Sequence, residues 1–153
     1  MIQVALENVR SLQNIGAIIR TCSFFGVQKL ILLGYSGKTK DTKNRTIMHP
    51  DILKTALGAE KDVEIIFIDS AKDLKKYSQN IIAIEQHEKS IDLKTIDLKD
   101  CVLVFGNEVD GASQEILNAS KQIVEIERLG NHNSLNIATA VGIVLYKATS
   151  SLS

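Results

Sequence analysis

Hydrophobic positions along this chain gather into short, nearly unbroken runs, separated by stretches whose apolar residues recur at helical spacing. Ile2–Leu6, Lys29–Leu33, Val63–Ile68, Asn80–Ile84, Cys101–Phe105 and Ile123–Ile126 are the runs. None alternates apolar with polar residues, so each predicts a strand covered on both faces. Ser11–Gly26 predicts a helix, because Ile15, Ile18, Ile19 and Cys22 fall on one face and Gly26 suits its end. His49–Lys61 predicts a helix broken at Gly58. Ser70 caps a predicted helix over Ala71–Tyr77. Ser113–Ser120 and the long apolar Ser134–Ala148 predict two more. Tyr35–Thr46, Gly106–Gly111 and Leu129–Asn133 read as loops, and Lys89–Asp100 as polar surface.

Strands alternating with helices predict an α/β fold: a parallel-dominated sheet with helices on both faces. No repeat, low-complexity linker or composition break divides the chain, so residues 1–153 are expected to form one domain. In such sheets ligands bind beyond the carboxyl ends of the strands. That rule points to the three loops just named.

Composition narrows the function classes. The 153 residues carry 18 basic and 18 acidic side chains, a formal net charge of zero. Such a balance excludes a binder that relies on bulk charge for nucleic-acid affinity, but leaves room for a local basic patch. Cys22 and Cys101 are the only cysteines, which points to a reducing, cytoplasmic setting rather than a disulfide framework. Met1 runs straight into the first strand, with no basic leader or cleavage site. No apolar run approaches the ~18–20 residues that cross a bilayer. His49, His87 and His132 have no ligand spacing with either cysteine, so no metal is expected. Both cysteines read as buried fillers, Phe24 and Phe25 as core, and Tyr35 as an exposed platform.

Three segments carry candidate chemistry. Asn14-Ile15-Gly16-Ala17-Ile18-Ile19-Arg20 sets Asn14 and Arg20 a little under two helical turns apart, with Gly16 permitting close approach. Taken alone it reads first as an amphipathic helix with an exposed arginine. Phe105-Gly106-Asn107-Glu108-Val109-Asp110-Gly111 follows the most hydrophobic strand and lacks both dinucleotide and phosphate-loop fingerprints. Its carboxylates suit a cation or a ribose hydroxyl, or are simply solvated. Ile126–Val141 crowds Asn131, His132, Asn133, Ser134 and Asn136 where a helix opens. Ser134 reads as an N-cap. Asn136 reads as an amide inside the first turn, which costs stability unless partnered.

In this order the three segments resemble the sequence motifs of the SpoU/TrmH family of the SPOUT superfamily, over about Ile2 to Tyr146. Gly106-x-Glu108-x-x-Gly111 paired with Ser134-Leu135-Asn136 is the most specific part. Ala56–Lys61 and Ile84-Glu85-Gln86 are similar to family segments too. The resemblance implies a C-terminal deep trefoil knot, a homodimer and 2′-O-ribose methylation of RNA with S-adenosylmethionine as methyl donor. Arg20 would be catalytic, approaching from the partner subunit, with Asn14, Glu108, Ser134 and Asn136 as companions. It would act either as base or as an anchor for an RNA phosphate. Ile84, Glu85, Gly106, Asn107, Gly111, Ile126 and Leu135 would hold the cofactor. One departure is clear: Glu127-Arg128 stand where the family usually has Pro-Met.

If RNA is the substrate, Gly37–Arg45 is the natural contact, with Lys38, Lys40, Lys43 and Arg45 against Asp41 alone. Arg10 and Arg128 would extend it. The lack of an added RNA-binding domain tilts the expectation from rRNA toward tRNA. The alternatives are a catalytically idle dimeric RNA- or cofactor-binding module of the same fold, and a small-molecule enzyme unrelated to RNA.

Overall fold

A computed structural model describes residues 1–150. Seven strands form one sheet in the order β5-β2-β1-β8-β6-β9-β7. They are β1 (Ile2–Glu7), β2 (Lys29–Leu33), β5 (Glu64–Ile68), β6 (Ile81–Ile84), β7 (Ile91–Asp92), β8 (Cys101–Phe105) and β9 (Gln122–Glu125). Every pairing in it is parallel. β1 and β8 at its centre are buried at every position, which their unbroken apolar runs require. A separate antiparallel hairpin joins β3 (Lys38–Lys40) to β4 (Thr46–Met48).

One face of the sheet packs against α1 (Leu12–Phe24), α2 (Leu53–Ala56) and α4 (Ile137–Ser150), through Ile15, Ile18, Ile19, Ile52, Ala56, Val141 and Leu145. The other face carries the 3-10 helix Ala71–Lys76 and α3 (Gln114–Ala119), through Ala71, Leu74 and Ile116. Among the described residues no helix is long and apolar enough to cross a membrane.

α1 shows how local sequence sets an element. Ser11 caps it by accepting from the Asn14 amide at 3.1 Å. Its buried residues are Ile15, Gly16, Ile18, Ile19 and Cys22, one helical stripe. At the end Gly26 takes φ +72° and the Val27 amide donates back to Cys22 O at 2.9 Å, closing the helix. Gly16 faces α2, where an added Cβ would lie 1.9 Å from Thr55 Oγ1 and 2.4 Å from Ile52 O. A glycine is what lets the two helices meet.

Several expectations are corrected. Tyr35–Thr46 is not wholly loop but holds β3 and the start of β4. Asp41 builds the turn by accepting from the Lys43 and Arg45 amides, which a count of turn residues does not reveal. His49–Lys61 is a 3-10 turn, the short α2 and a second 3-10 turn. Leu57 and Gly58 both adopt positive φ and break the helix there. Ala71–Lys76 tightens into a 3-10 helix, although Ser70 caps it as expected. Lys89–Asp100 is not simply surface: β7 adds a seventh strand, and Leu93, Ile96 and Leu98 are buried. Charged neighbours hide their apolar spacing. Phe24 is 83% exposed, because it lies off the buried stripe of α1.

Candidate functional site

The parallel register aligns the carboxyl ends of the central strands. Leu6 and Ile84 both pair with Phe105, and Ile84 pairs with Val124 on its other side. The segments that follow β6, β8 and β9 therefore leave the sheet along one edge. Between them lies a cleft of about 840 Å³, within the range that takes a small cofactor. Ile84, Phe105, Ile126, Leu135 and Ile137 supply its apolar walls, and Glu85, Glu108, Glu125 and Glu127 its carboxylates. Asn14, Gly106, Asn107, Gly111, Arg128, Ser134 and Asn136 also line it.

The Gly106–Gly111 loop is organised by Asn107. Asn107 and Gly111 exchange backbone hydrogen bonds at 3.1 and 2.9 Å. The Asn107 carbonyl oxygen Oδ1 accepts from the Val109 and Asp110 amides at 2.8 and 3.0 Å, and its Nδ2 donates to Asn8 O at 2.7 Å. Gly106 packs so tightly under the returning chain that a Cβ would sit 2.2 Å from the Ala112 nitrogen. Only glycine fits that backbone approach.

Glu108 is exposed but not without partners. Its two oxygens accept from the Arg10 and Ser11 amides, each at 3.2 Å, and tie the second motif to the start of α1. A negative charge is well placed at a helix N-terminus. Asn136 is corrected from a first-turn amide to the N-cap of α4: its Oδ1 accepts from the Ala138 and Thr139 amides at 2.9 and 3.2 Å. Its Nδ2 donates to Asn14 Oδ1 at 3.4 Å, linking the first motif to the third. Ser134, expected at the cap, lies outside the helix, which begins at Ile137. The Ser134 amide faces His132 Nδ1, and its hydroxyl has no partner among the described residues.

Arg20 does not line this cleft. It lies in a second groove of about 590 Å³ with Gln13, Phe24, Lys54 and Leu57, and Asn14 lines both. Its guanidinium makes no ion pair or hydrogen bond among the described residues.

The expected basic contacts lie apart from the cleft, except Arg128. Lys38 is largely taken up internally: its ammonium donates to Ile68 O and Asp69 Oδ1, both at 3.0 Å, and lies over the Phe67 ring. Lys40 donates to Thr46 Oγ1 at 2.7 Å, and Arg45 pairs with Asp41 at 2.6 Å. Those contacts hold the Asp41 carboxyl below its ordinary range, chiefly through the Arg45 amide. The Lys43 side chain remains free among the described residues. Tyr35 is half exposed, and its hydroxyl accepts from Arg10 Nε at 3.2 Å and Asn107 Nδ2 at 2.9 Å.

Sequence reading missed two tethers. Glu7, only 6% exposed, binds Ser113. The one signal for it was a carboxylate closing an apolar strand. Lys94 donates to Glu127 at 2.5 Å and is held charged above its ordinary range, first by that contact. Glu127, the departure from Pro-Met, is thereby pinned beside the cleft. Among the described residues no group of three or more His, Cys, Asp or Glu could hold a metal.

An all-parallel α/β sheet with an acidic, apolar-walled cleft at its carboxyl edge defines the class: a domain built to hold a small organic cofactor. Comparison with known proteins gives the family. The model of the SpoU rRNA Methylase family matches residues 1–146, and the chain belongs to that family. It is 33% identical over 151 residues to the tRNA (guanosine(18)-2'-O)-methyltransferase of Aquifex aeolicus, covering 95% of this chain and 67% of that protein. To the enzyme of the same name from Borreliella burgdorferi it is 30% identical, covering 92% of this chain and 62% of the relative. The crystal structure of AdoMet-bound rRNA methyltransferase from Sinorhizobium meliloti superposes with a TM-score of 0.84 at 29% identity, over 99% of this chain and 57% of that one. The chain thus spans about six-tenths of the length of several proteins it matches.

Proposed function

We propose that this chain is an S-adenosylmethionine-dependent RNA 2′-O-ribose methyltransferase acting on structured RNA, with tRNA favoured over rRNA. The carrying observation is the convergence of the motifs: Asn14, Glu108, Ser134 and Asn136 meet at one cleft although they are far apart in sequence. The tRNA preference rests on the similarity to the tRNA (guanosine(18)-2'-O)-methyltransferases of Aquifex and Borreliella.

The cleft fits the cofactor chemically. Apolar walls from Ile84, Ile126 and Leu135 suit an adenine ring, and the carboxylates suit a sulfonium and an ammonium. When bound, S-adenosylmethionine supplies a methyl on a positively charged sulfur, open to in-line displacement by an oxygen. The chain's own work is then positioning. Gly106, Asn107 and Gly111 keep the loop backbone rigid. Glu108 ties the 106–111 loop to the start of α1, and Asn136 ties α1 to the start of α4. The unpartnered Ser134 hydroxyl is available to the incoming ribose.

Arg20 lies in the neighbouring groove rather than the cleft, which supports a homodimer in which it serves the partner's site. Exposed Phe24 on α1, and Ile143 and Tyr146 on the adjoining α4, offer the apolar surface such a dimer needs. We assign the 126–136 segment and α4 to a deep trefoil knot; the family and the cleft walls drawn from three separate stretches support this reading. Arg10, Lys43 and Arg128 are the basic groups best placed for RNA phosphates. Two free buried cysteines support a cytoplasmic setting. The unpaired Arg20 argues against an idle module, which has no need to leave an arginine unpartnered.

The test is transfer of labelled methyl from S-adenosylmethionine to RNA from a cell lacking this protein, with tRNA and rRNA counted separately. Label on ribose in the tRNA fraction is expected, and its loss in Arg20→Ala. Absence of label in both fractions, with folded protein, would overturn the proposal.

A further inference from the structure

β8 lies between β1 and β6. Both flanking strands deliver a glutamate at their carboxyl ends, Glu7 closing β1 and Glu85 following β6. The carboxylates reach two consecutive residues, just past the loop that leaves β8. Glu85 Oε2 accepts from the Ala112 amide at 2.7 Å, and its Oε1 from its own neighbour's amide, Gln86, at 3.0 Å. Glu7 Oε1 accepts from the Ser113 amide at 2.8 Å, and Oε2 from the Ser113 hydroxyl at 2.5 Å. Gly111 has no Cβ, and one would sit 2.4 Å from Glu85 Oε2, so the chain passes directly over that carboxylate.

Glu7 is 6% exposed and its neighbours on β1 are apolar. A buried carboxylate is costly unless both oxygens are satisfied. Here both are, and both by one residue 106 positions away. What the contact does is fix where the 106–111 loop re-enters the fold, and so where Gly106, Asn107 and Gly111 stand at the cleft.

From this geometry we infer that Glu7 is a positioning residue for the cofactor loop, acting through Ser113 and paired with Glu85 on the opposite side of β8. The inference rests on the function proposed above for that loop. Glu7 does not touch the cleft; its effect is on binding of the methyl donor rather than of RNA.

The test uses Glu7→Gln, which keeps volume but leaves a single acceptor, and Ser113→Ala, which removes the hydroxyl bond while the backbone amide still donates to Glu7, and which also removes the cap that Ser113 Oγ gives Ile116 at the start of α3. Two readouts are taken on the intact chain: S-adenosylmethionine affinity by calorimetry, and hydrogen exchange of the amides from 107 to 111. Each variant should bind the donor about tenfold more weakly, the loss of one charge-assisted hydrogen bond. Exchange should quicken at Val109, Asp110 and Gly111 while β1 and β8 stay protected. The double variant should lose little beyond either single one, and RNA affinity should be unchanged. Parental donor affinity with parental exchange overturns the inference. So does exchange that quickens uniformly across the sheet, or failure of both variants to fold, because the role is then global. If the parent chain binds no S-adenosylmethionine, the proposed function fails, and the exchange pattern alone decides the clamp.

Discussion

Asn136 does two things that can be separated by substitution. Its Oδ1 caps α4, and its Nδ2 reaches Asn14 on α1. Asn136→Ala removes both. Loss of an N-cap costs about 1 kcal/mol, and in a domain of this size that lowers Tm by about 2–4 °C. Asn136→Asp keeps an oxygen to accept from Ala138 and Thr139, and puts a negative charge where the helix dipole favours it. It has no N–H for Asn14. The Asp variant should therefore melt at or above the parent, while the Ala variant melts lower. Methyl transfer should fall in both, by about tenfold for one lost hydrogen bond that holds α1 in register. Calorimetry gives the Tm values, and single-turnover transfer at saturating donor and RNA gives the rates. Equal Tm losses in the two variants would refute the cap. A parental rate in the Asp variant would refute the claim that the Asn14–Asn136 contact positions α1.

Gly16→Ala drives a methyl against Thr55 and the Ile52 carbonyl, a backbone atom that cannot swing aside; overpacking of this kind costs about 1–3 kcal/mol, measurable as a lower urea midpoint. Burial pushes the Cys22 thiol up to about 12 and, as the largest cause, Cys101 up to about 11. Neither should react with a thiol reagent at pH 8 in the native protein, and both should react in denaturant. Because the folded state holds these protons, their contribution to stability is complete below the ordinary thiol value of 9.0 and declines as pH rises above it. Lys43→Ala should reduce the salt slope of RNA binding by about one. Lys38→Ala should leave the slope nearly unchanged but loosen the hairpin, since its ammonium already serves Ile68 and Asp69; equal effects on the slope would contradict that distinction.

Much of the architecture was legible because both-face burial leaves a local trace. Lys29–Leu33 and Cys101–Phe105 were recognisable as strands to the residue, and the apolar stripe of α1 gave its extent. β7 escaped, since two residues among charges carry no period. The hairpin turn at Asp41 escaped as well: side-chain acceptance by one aspartate decides it, and many polar stretches contain an aspartate. Phe24 misled because its hydrophobicity says nothing about which side of α1 it occupies.

The candidate site divides in the same way. The order of the motifs, through their resemblance to the family, grouped Arg20 with Asn14, Glu108, Ser134 and Asn136 and pointed to the loops after β8 and β9; the fold brings all of them but Arg20 to one cleft. The strand order decided their partners, because it sets β1 and β6 on either side of β8 and brings Glu7 to Ser113 and Glu108 to Arg10 and Ser11 just before α1. Hydrophobic periodicity is a property of neighbouring residues, read directly from the chain. Hydrogen-bond partners a hundred residues apart are chosen by the sheet register, which exists only once the strands have paired.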